Sequence, residues 1–332
     1  MTGVGSWPGT DIREALRAVR GVLGGLDEPA LTGLPYLPEL PGRGPGGELV
    51  GRGAGLLVDL PVDLQPAGWR LTDRPGRDAA RTAAFWREDL DELAEAFDGH
   101  VGPLKLQVAG PWTLAASIWL PRGDRVVVDP GACRDLVASL AEGVRTRVAD
   151  LARLVPAADL VVQVDEPSLP AVLAGRLPTA SGYGRLRSVE APEALAGLRD
   201  VLAAAGPRQT VVHCCAADPP LPLLRASNCG AVGLDTAALG PGGWEGVAVA
   251  VESGVGLYAG CVSSAPAEPR SARTAAGAML EAWARVGLPA EGLGAVTVAP
   301  SCGLAGLTPV AAVARQRRCV EVARHLGEAA TG

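Results

Sequence analysis

The chain has 332 residues, which is longer than a typical domain but within the range of an α/β barrel that folds as one unit. Its 48% hydrophobic and 20% charged residues predict a sizeable core and exclude wholesale disorder. The net charge of -6 and the lack of a block of Lys or Arg exclude a nucleic-acid or anionic-membrane surface, so a small-molecule ligand is expected.

The start of the chain lacks a charged stretch followed by an apolar one, and no apolar run approaches the roughly 18 residues that a membrane span needs. We therefore expect a cytoplasmic protein. Its seven cysteines are an odd number without a signal peptide, which favours metal binding or catalysis over a disulfide framework. Lys105 is the one lysine among 30 basic residues, a bias that we attribute to GC-rich codon usage.

Short apolar runs alternate with amphipathic stretches along the chain, which is the pattern of repeated βα units around a parallel sheet. The predicted strands are residues 3–6, 55–59, 104–108, 160–164, 210–213, 231–235, 255–260 and 295–299. The predicted helices are residues 11–23, 78–97, 130–154, 192–204, 221–226, 243–252, 271–286 and 309–325. Eight such units predict an α/β fold of the (β/α)8 TIM barrel type, with residues 1–332 in a single domain. An open, doubly wound sheet is the alternative if a strand at either end is miscounted.

Residues 34–55 contain Pro35, Pro38, Pro41 and Pro45 together with many glycines. Such a composition cannot form a regular helix. We predict a long Pro/Gly-rich surface loop between the first helix and the second strand. A linker between domains is less favoured, because the roughly 30 residues that precede it are too few for a separate domain.

A candidate metal site lies in the second half of the chain. His213 and Cys215 follow the apolar run 209–212, and Cys302 follows a similar run. Residues i and i+2 at the end of a strand project the same way, so His213 and Cys215 can share one metal ion. Imidazole and thiolate groups are ligands that zinc prefers. Cys302 is a candidate third ligand and Asp235, which ends another apolar run, a candidate fourth.

These four candidates fall after predicted strands five, six and eight. Active sites of α/β barrels gather at the C-terminal ends of the strands, so we expect the four side chains to lie together. A free cysteine or a lone histidine is otherwise most often a packing residue. We interpret the remaining cysteines in that way: Cys133, Cys214, Cys229, Cys261 and Cys319.

Four short motifs follow predicted strands at this same end of the barrel. They are Gly5-Ser6-Trp7-Pro8, Gly110-Pro111-Trp112-Thr113, Gln163-Val164-Asp165-Glu166-Pro167, and His213-Cys214-Cys215 with Cys302-Gly303-Leu304. In order and spacing they resemble the C-terminal catalytic barrel of cobalamin-independent methionine synthase, and especially the short, single-barrel relatives of that family. The resemblance covers most of the chain. It implies a methyltransferase that methylates a thiol, homocysteine, to give methionine.

The resemblance implies a zinc cofactor held by His213, Cys215, Asp235 and Cys302. The family binds zinc with the His and Cys of His-x-Cys, a Glu about two dozen residues later and the Cys of Cys-Gly-Leu. Asp235 stands in the place of that Glu and is one methylene shorter, so its coordination could be lost or bridged by water. Zinc lowers the pKa of a bound thiol, and the thiolate is the nucleophile that attacks a methyl group.

The same resemblance assigns substrate-binding roles. Gly5 and Ser6 receive the carboxylate of an amino acid, and Asp165 binds its ammonium group. Taken alone, residues 5–8 could be a strand-ending turn and residues 165–167 a helix cap. Only their place at the C-terminal face makes the substrate role preferable.

Three further points stay open. The family's additional acid after the second strand has no counterpart around residues 82–86 before Glu88, which leaves the acceptor thiol in question. Trp119 is either a misregistered match to the family's folate-stacking Trp or a packing residue. The methyl donor is either methyl-folate, used by full-size members with an additional N-terminal barrel, or a corrinoid protein.

Two other functions remain as alternatives. A uroporphyrinogen-decarboxylase-like barrel would have a large cavity lined by arginines and would need no His-x-Cys site. A non-catalytic zinc-binding relative would have a closed four-ligand site without an adjacent pocket.

Overall fold

The computed structural model describes residues 1–26, 28 and 31–332. A parallel sheet forms its centre, and a short antiparallel hairpin precedes that sheet in the chain. The hairpin strands are β1 (Val62–Gln65) and β2 (Gly68–Leu71). The sheet strands are β3 (Gly102–Ala109), β4 (Ala158–Asp165), β5 (Gln209–Cys214), β6 (Ala231–Leu234), β7 (Gly256–Val262) and β8 (Thr297–Pro300). Strands β3 to β8 neighbour one another in chain order, and each pair is parallel.

Helices connect each sheet strand to the next, and further helices precede β3 and follow β8. They are α1 (Ile12–Leu23), α2 (Leu49–Ala54), α3 (Arg77–Ala96), α4 (Pro111–Ala115), α5 (Pro130–Leu154), α6 (Leu169–Leu173), α7 (Ala191–Ala203), α8 (Leu221–Ala226), α9 (Pro241–Glu252), α10 (Ala272–Arg285) and α11 (Pro309–Thr331). Single 3-10 turns occur at Pro41–Arg43, Val126–Val128 and Ala290–Ala295. Within the described ranges, none of these helices is both long enough and apolar enough to cross a bilayer.

Side-chain caps explain where two of the predicted helices begin. The Asp11 carboxylate accepts a hydrogen bond from the Glu14 amide at 3.1 Å, and the Asp129 carboxylate accepts one from the Gly131 amide at 2.7 Å. The first amides of a helix have no partner inside it, so an acceptor just before the helix stabilises that end. Helices α1 and α5 accordingly begin directly after these two aspartates.

Six of the predicted strands are confirmed as the sheet β3 to β8. Their unbroken order shows that the doubly wound alternative is wrong, because that fold reverses its strand order at a switch point. The fold is α/β, with a curled six-stranded parallel sheet that resembles part of a TIM barrel.

Two N-terminal segments, residues 1–6 and 34–39, extend this sheet through isolated bridges. The Thr2 amide donates to a carbonyl of β8 at 3.0 Å, and the Leu34 amide donates to the first segment at 2.8 Å. The Pro35 carbonyl accepts from a β3 amide at 2.8 Å. A hydrogen-bonded path therefore runs from β8 through both segments to β3.

The prediction of a surface loop over residues 34–55 is wrong for its first part, since residues 34–40 are buried. Proline is compatible with this position because the amides that donate hydrogen bonds there belong to Leu34, Leu37 and Glu39. The later part of the stretch includes α2, whose last residues are also buried.

The predicted second strand, residues 55–59, is also wrong. This run turns back after α2, with the Leu57 amide donating to the Ala54 carbonyl at 3.2 Å. Ser139 of α5 donates its hydroxyl to the Val58 carbonyl at 2.7 Å. The run therefore packs against the helix layer, and periodicity alone cannot distinguish that role from a buried strand.

The inner face of the curled sheet carries an apolar layer of side chains and, next to it, a polar layer. A small apolar cluster lies inside the curl, apart from the main core between sheet and helices. Its members are Leu34, Val161, Val211, Ala231 and Tyr258. Two residues further along β4 and β5, the inward positions are Gln163 and His213, which places polar groups towards the C-terminal edge.

Candidate metal and substrate site

The four candidate ligands lie at the C-terminal edge of the sheet. His213 is the second-last residue of β5, and Cys215 directly follows that strand. Asp235 follows β6, and Cys302 comes two residues after β8. Because the strands are parallel and neighbouring, their ends meet along one edge.

Cys215 and Cys302 form a thiol pair: their sulfurs are hydrogen-bonded and lie 3.5 Å apart. Cys302 is exposed and Cys215 half-buried. The hydrogen bond between the two sulfurs lowers the pKa of Cys302, against the opposing effect of burial. The same hydrogen bond raises the pKa of Cys215. The opposite directions favour Cys302 as the thiolate of the pair, and the thiolate is the reactive and metal-binding form of cysteine.

His213 is held by Asp165. Its Nδ1 lies 2.8 Å from Asp165 Oδ1, and both side chains are almost fully buried. Gly233 on the neighbouring strand leaves room for the ring, because a Cβ there would come within 3.2 Å of the imidazole Cδ2. The other ring nitrogen, Nε2, is buried and has no hydrogen-bond partner among the described residues. An orphaned buried nitrogen of this kind calls for a ligand.

Asp235 is half-buried and begins a turn. Its Oδ1 accepts from the Ala237 amide at 3.1 Å, and its carbonyl accepts from the Ala238 amide at the same distance. Burial raises the pKa of its carboxyl, while the Ala237 and Ala238 amides lower it. The Asp235 carboxylate therefore faces its own turn.

The four side chains form one thiol pair, Cys215 and Cys302, with His213 and Asp235 separate from it, and not a closed coordination shell. In the part of the chain that the structure describes, no group of three or more His, Cys, Asp or Glu side chains is spaced to hold a metal ion. The donor chemistry nevertheless fits zinc, which prefers imidazole nitrogen and thiolate sulfur. The orphaned Nε2 and the thiol pair are such donors.

Ser6 lies against the turn that carries Cys302. The Leu304 amide donates to the Ser6 carbonyl at 2.9 Å, and a Cβ on Gly303 would overlap the Ser6 hydroxyl oxygen. Gly5 has a similar constraint, since a Cβ there would lie 2.7 Å from Cγ of Gln107. The two glycines therefore permit the close approach of the first segment to β3 and to the turn after β8.

Glu39 is a buried acid at this site that the sequence reasoning missed. It bridges to Ser6 in the parallel pairing of the two N-terminal segments and is 4% exposed. Its pKa is raised to about 7, mainly by burial and also by the charge of Asp165, against the opposing charges of Arg52 and Lys105. Glu88, considered from sequence, lies instead on α3 within 3.7 Å of Arg43. Reading residues 34–40 as a strand would have placed Glu39 at its C-terminal end.

Glu166 joins two of the sequence motifs. Its carboxylate accepts from the amides of Trp112 and Thr113 at 2.9 and 2.8 Å and from the Thr113 hydroxyl at 2.7 Å. A Cβ on Gly110 would overlap this carboxylate. Burial raises the pKa of Glu166 to about 7. The side chain is fully buried, so it holds the start of α4 against the end of β4.

Trp119 has a different environment from the other predicted substrate residues. Its backbone bridges Arg70 on one side and Arg125 on the other, and both guanidinium groups lie over its ring, at 5.5 and 5.4 Å from the centroid. Neighbours across paired strands point to the same face, so the two arginines flank the indole from either side.

Known proteins resemble this chain in fold. No protein-family model and no curated protein matches it. Among solved structures it is similar to a B12-independent methionine synthase from Shewanella sp. W3-18-1 in complex with selenomethionine, with a TM-score of 0.62, 12% sequence identity, and coverage of 98% of this chain and 96% of that one. It also aligns with the carboxyl transferase domain of Rhizobium etli pyruvate carboxylase with 3-bromopyruvate, at a TM-score of 0.26, 15% identity and coverage of 72% and 43%. The first likeness establishes a shared fold, and the second is too weak to support any inference.

Proposed function

We propose that this chain is a zinc-dependent methyltransferase that methylates a small thiol, with homocysteine as the acceptor and methionine as the product. The observation that carries the proposal is the thiol pair Cys215–Cys302 at the same sheet edge as the orphaned Nε2 of His213. The likeness in fold to a methionine synthase supports it.

In this proposal His213, Cys215 and Cys302 hold the zinc ion, and Asp235 turns from its own loop to complete the set. When bound, zinc lowers the pKa of a thiol ligand and so supplies a thiolate near neutral pH. The transfer forms a bond between the acceptor sulfur and the methyl carbon. The bond from methyl to donor breaks, and its electron pair stays with the donor.

The buried charges around the site favour an amino-acid substrate. Glu39 and Asp165 are both at most 5% exposed, and the single buried cation that couples to both is Lys105 among the described residues. Arg52 is a second buried cation that acts on Glu39, but it is paired with Asp89, so a further positive charge beside the two carboxylates would be favourable. The ammonium group of homocysteine supplies it, and the ionised form of Glu39 is then favoured.

Ser6 and Gly5 take the substrate carboxylate. Their segment approaches Cys302 closely enough that only glycine fits at position 303, so a carboxylate at Ser6 and a sulfur at the cysteines belong to one short molecule. Asp165 uses Oδ1 for both of its described hydrogen bonds, with Gln163 and His213, which leaves Oδ2 for the substrate ammonium.

The remaining features of the proposal concern fold, donor and setting. Residues 1–6 and 34–39 act as the first two strands of a (β/α)8 barrel that closes between β8 and β3. The methyl donor is methyl-folate or a corrinoid protein, and Trp119 contacts the donor only if its two arginines move. A cytoplasmic location stays a prediction.

The alternative functions are less well supported. The cavity that His213 lines inside the sheet has a volume of about 10 Å³, enough for one water-sized group. Its described lining includes Gln163, Gly233 and Tyr258 and no arginine. A uroporphyrinogen decarboxylase would require a much larger, arginine-lined cavity at this place.

The test is methyl transfer to homocysteine from methylcobalamin and, separately, from methyl-folate, followed by detection of methionine. We expect methionine with one donor, and none with Cys302→Ala. Cys229→Ala is the matched control, since Cys229 is buried away from the sheet edge and donates to the Leu224 carbonyl; it should retain activity. No methionine from either donor in a zinc-loaded protein would favour the non-catalytic alternative.

A further inference from the structure

A continuous chain of hydrogen bonds links the only lysine to His213. The Lys105 ammonium donates to Gln163 Oε1 at 2.7 Å. The Gln163 amide nitrogen donates to Asp165 Oδ1 at 2.7 Å, and Asp165 Oδ1 pairs with His213 Nδ1 at 2.8 Å. All four side chains are at most 6% exposed. They lie on three adjacent strands, β3, β4 and β5.

The direction of each hydrogen bond in this chain is determined from its lysine end. A lysine side chain bonded to two acceptors must donate to both, and Lys105 also donates to the Val4 carbonyl at 2.7 Å. Gln163 must therefore present its oxygen to Lys105 and its NH2 group to Asp165; that group also donates to the Val4 carbonyl at 2.8 Å. Asp165 Oδ1 accepts from Gln163, and because a carboxylate has no proton to donate, His213 Nδ1 must donate to the same oxygen. Nε2 then has a lone pair.

We propose that Lys105 is a positioning residue that anchors Gln163 and, through Asp165, sets the tautomer and orientation of His213, so that Nε2 presents its lone pair to a metal ion. This inference rests on the proposed role of His213 as a ligand. Outer partners of a metal-binding histidine normally fix its tautomer in this way, and here the fixing chain extends two side chains beyond the carboxylate.

The identity of the residue supports this role. Lys105 is the one lysine among 30 basic residues, and it is fully buried. A neutral amine has the two protons that its two acceptors need, so the direction of the chain holds in both charge states, even though burial lowers the Lys105 pKa to about 7. An arginine would bring five N–H groups and a permanent charge to the same two acceptors.

The experiment reads the tautomer directly in the metal-free protein. Long-range ¹H–¹⁵N spectra distinguish Nδ1–H from Nε2–H for each of the three histidines, with His213→Gln identifying the signal. We expect His213 to be the Nδ1–H tautomer in the wild type. Lys105→Met should raise the share of Nε2–H, and should weaken Co²⁺ binding, followed through its thiolate absorption, by about tenfold, the lower end for outer partners.

The control is Gln107→Leu, which removes another buried polar side chain of β3. Gln107 donates to the Leu37 carbonyl and is not part of the hydrogen-bond chain from Lys105 to His213. This variant should leave tautomer and Co²⁺ affinity unchanged even if it lowers stability. If Lys105→Met does not fold, Lys105→Gln takes its place, since the amide of glutamine restores one donor. An intermediate loss of Co²⁺ affinity is then expected. A wild-type Nε2–H tautomer, or an unchanged tautomer and affinity in the lysine variants, would overturn the inference. If the wild-type protein shows no methyl transfer but the effect of Lys105→Met on the tautomer is observed, that result would count against the proposed function alone.

Discussion

Glu166 provides a demanding test of how the site is assembled, because it joins the start of α4 to the end of β4 through three hydrogen bonds. Glu166→Ala removes both carboxylate oxygens that accept these three hydrogen bonds and leaves two amides and a hydroxyl without partners. At about 1 kcal/mol net for each hydrogen bond, with a further cost for the cavity, we expect the free energy of unfolding to fall by about 3–5 kcal/mol. Thr113→Val removes one of the three and should cost about 1–2 kcal/mol.

The assay is urea unfolding followed by circular dichroism, with the double variant completing a mutant cycle. Because both single variants break the same hydroxyl–carboxylate bond, their costs should be non-additive by about 1 kcal/mol. Glu190→Ala is the matched control, since Glu190 precedes α7 without making a side-chain cap; it should change the stability by less than about 0.5 kcal/mol. A cost below about 1.5 kcal/mol for Glu166→Ala, or strict additivity with Thr113→Val, would refute the reasoning.

Three further outcomes follow from the site. Gly303→Ala should push the Ser6 hydroxyl away and weaken binding of the proposed acceptor homocysteine in calorimetry while zinc content stays the same; unchanged binding would remove Ser6 from the substrate site. Burial raises the Glu39 pKa from 4.5 to about 7, so the stability linked to its proton is full below pH 4.5 and is lost as the pH rises through 7. Between pH 5 and pH 8, Glu39→Gln should therefore gain stability over the wild type by on the order of 2–3 kcal/mol. A difference in free energy of unfolding between the two proteins that does not change with pH would contradict this. Asp235→Asn should lower zinc affinity by at least the roughly tenfold expected for losing even an outer partner, measured by competition with a chelator, and Asp235→Glu should restore it; equal affinities would exclude Asp235 as a ligand.

The sheet was predictable because its signal is local. Continuous apolar runs such as the valines of β4 bury both faces of a parallel strand, and caps such as Asp129 define where helices begin. The N-terminal part was mispredicted for a physical reason. Residues 34–39 pair with their neighbours through only a few amides, and the prolines of this segment are not among the donors. The apolar run at 55–59 packs on a helix instead. Hydrophobicity alone cannot distinguish these two situations.

The position of the candidate residues at the strand ends was predictable, but their contacts were not. The spacing of His213 and Cys215, together with the strand ends at Asp235 and Cys302, could be read from the chain. Glu39 could not, because its segment was assigned to a loop. The pairing of Asp165 with His213 depends on the register between β4 and β5, which no single-chain pattern specifies.

The central claim is tested most directly by the metal content of the purified protein under reducing conditions. The account predicts one zinc ion per chain, lost in His213→Ala and in Cys302→Ala. Cys214→Ala should keep its zinc, because Cys214 is buried in the main core and its side chain alternates with those of the proposed ligands His213 and Cys215. Negligible zinc in the wild type, or equal loss in all three variants, would contradict the account.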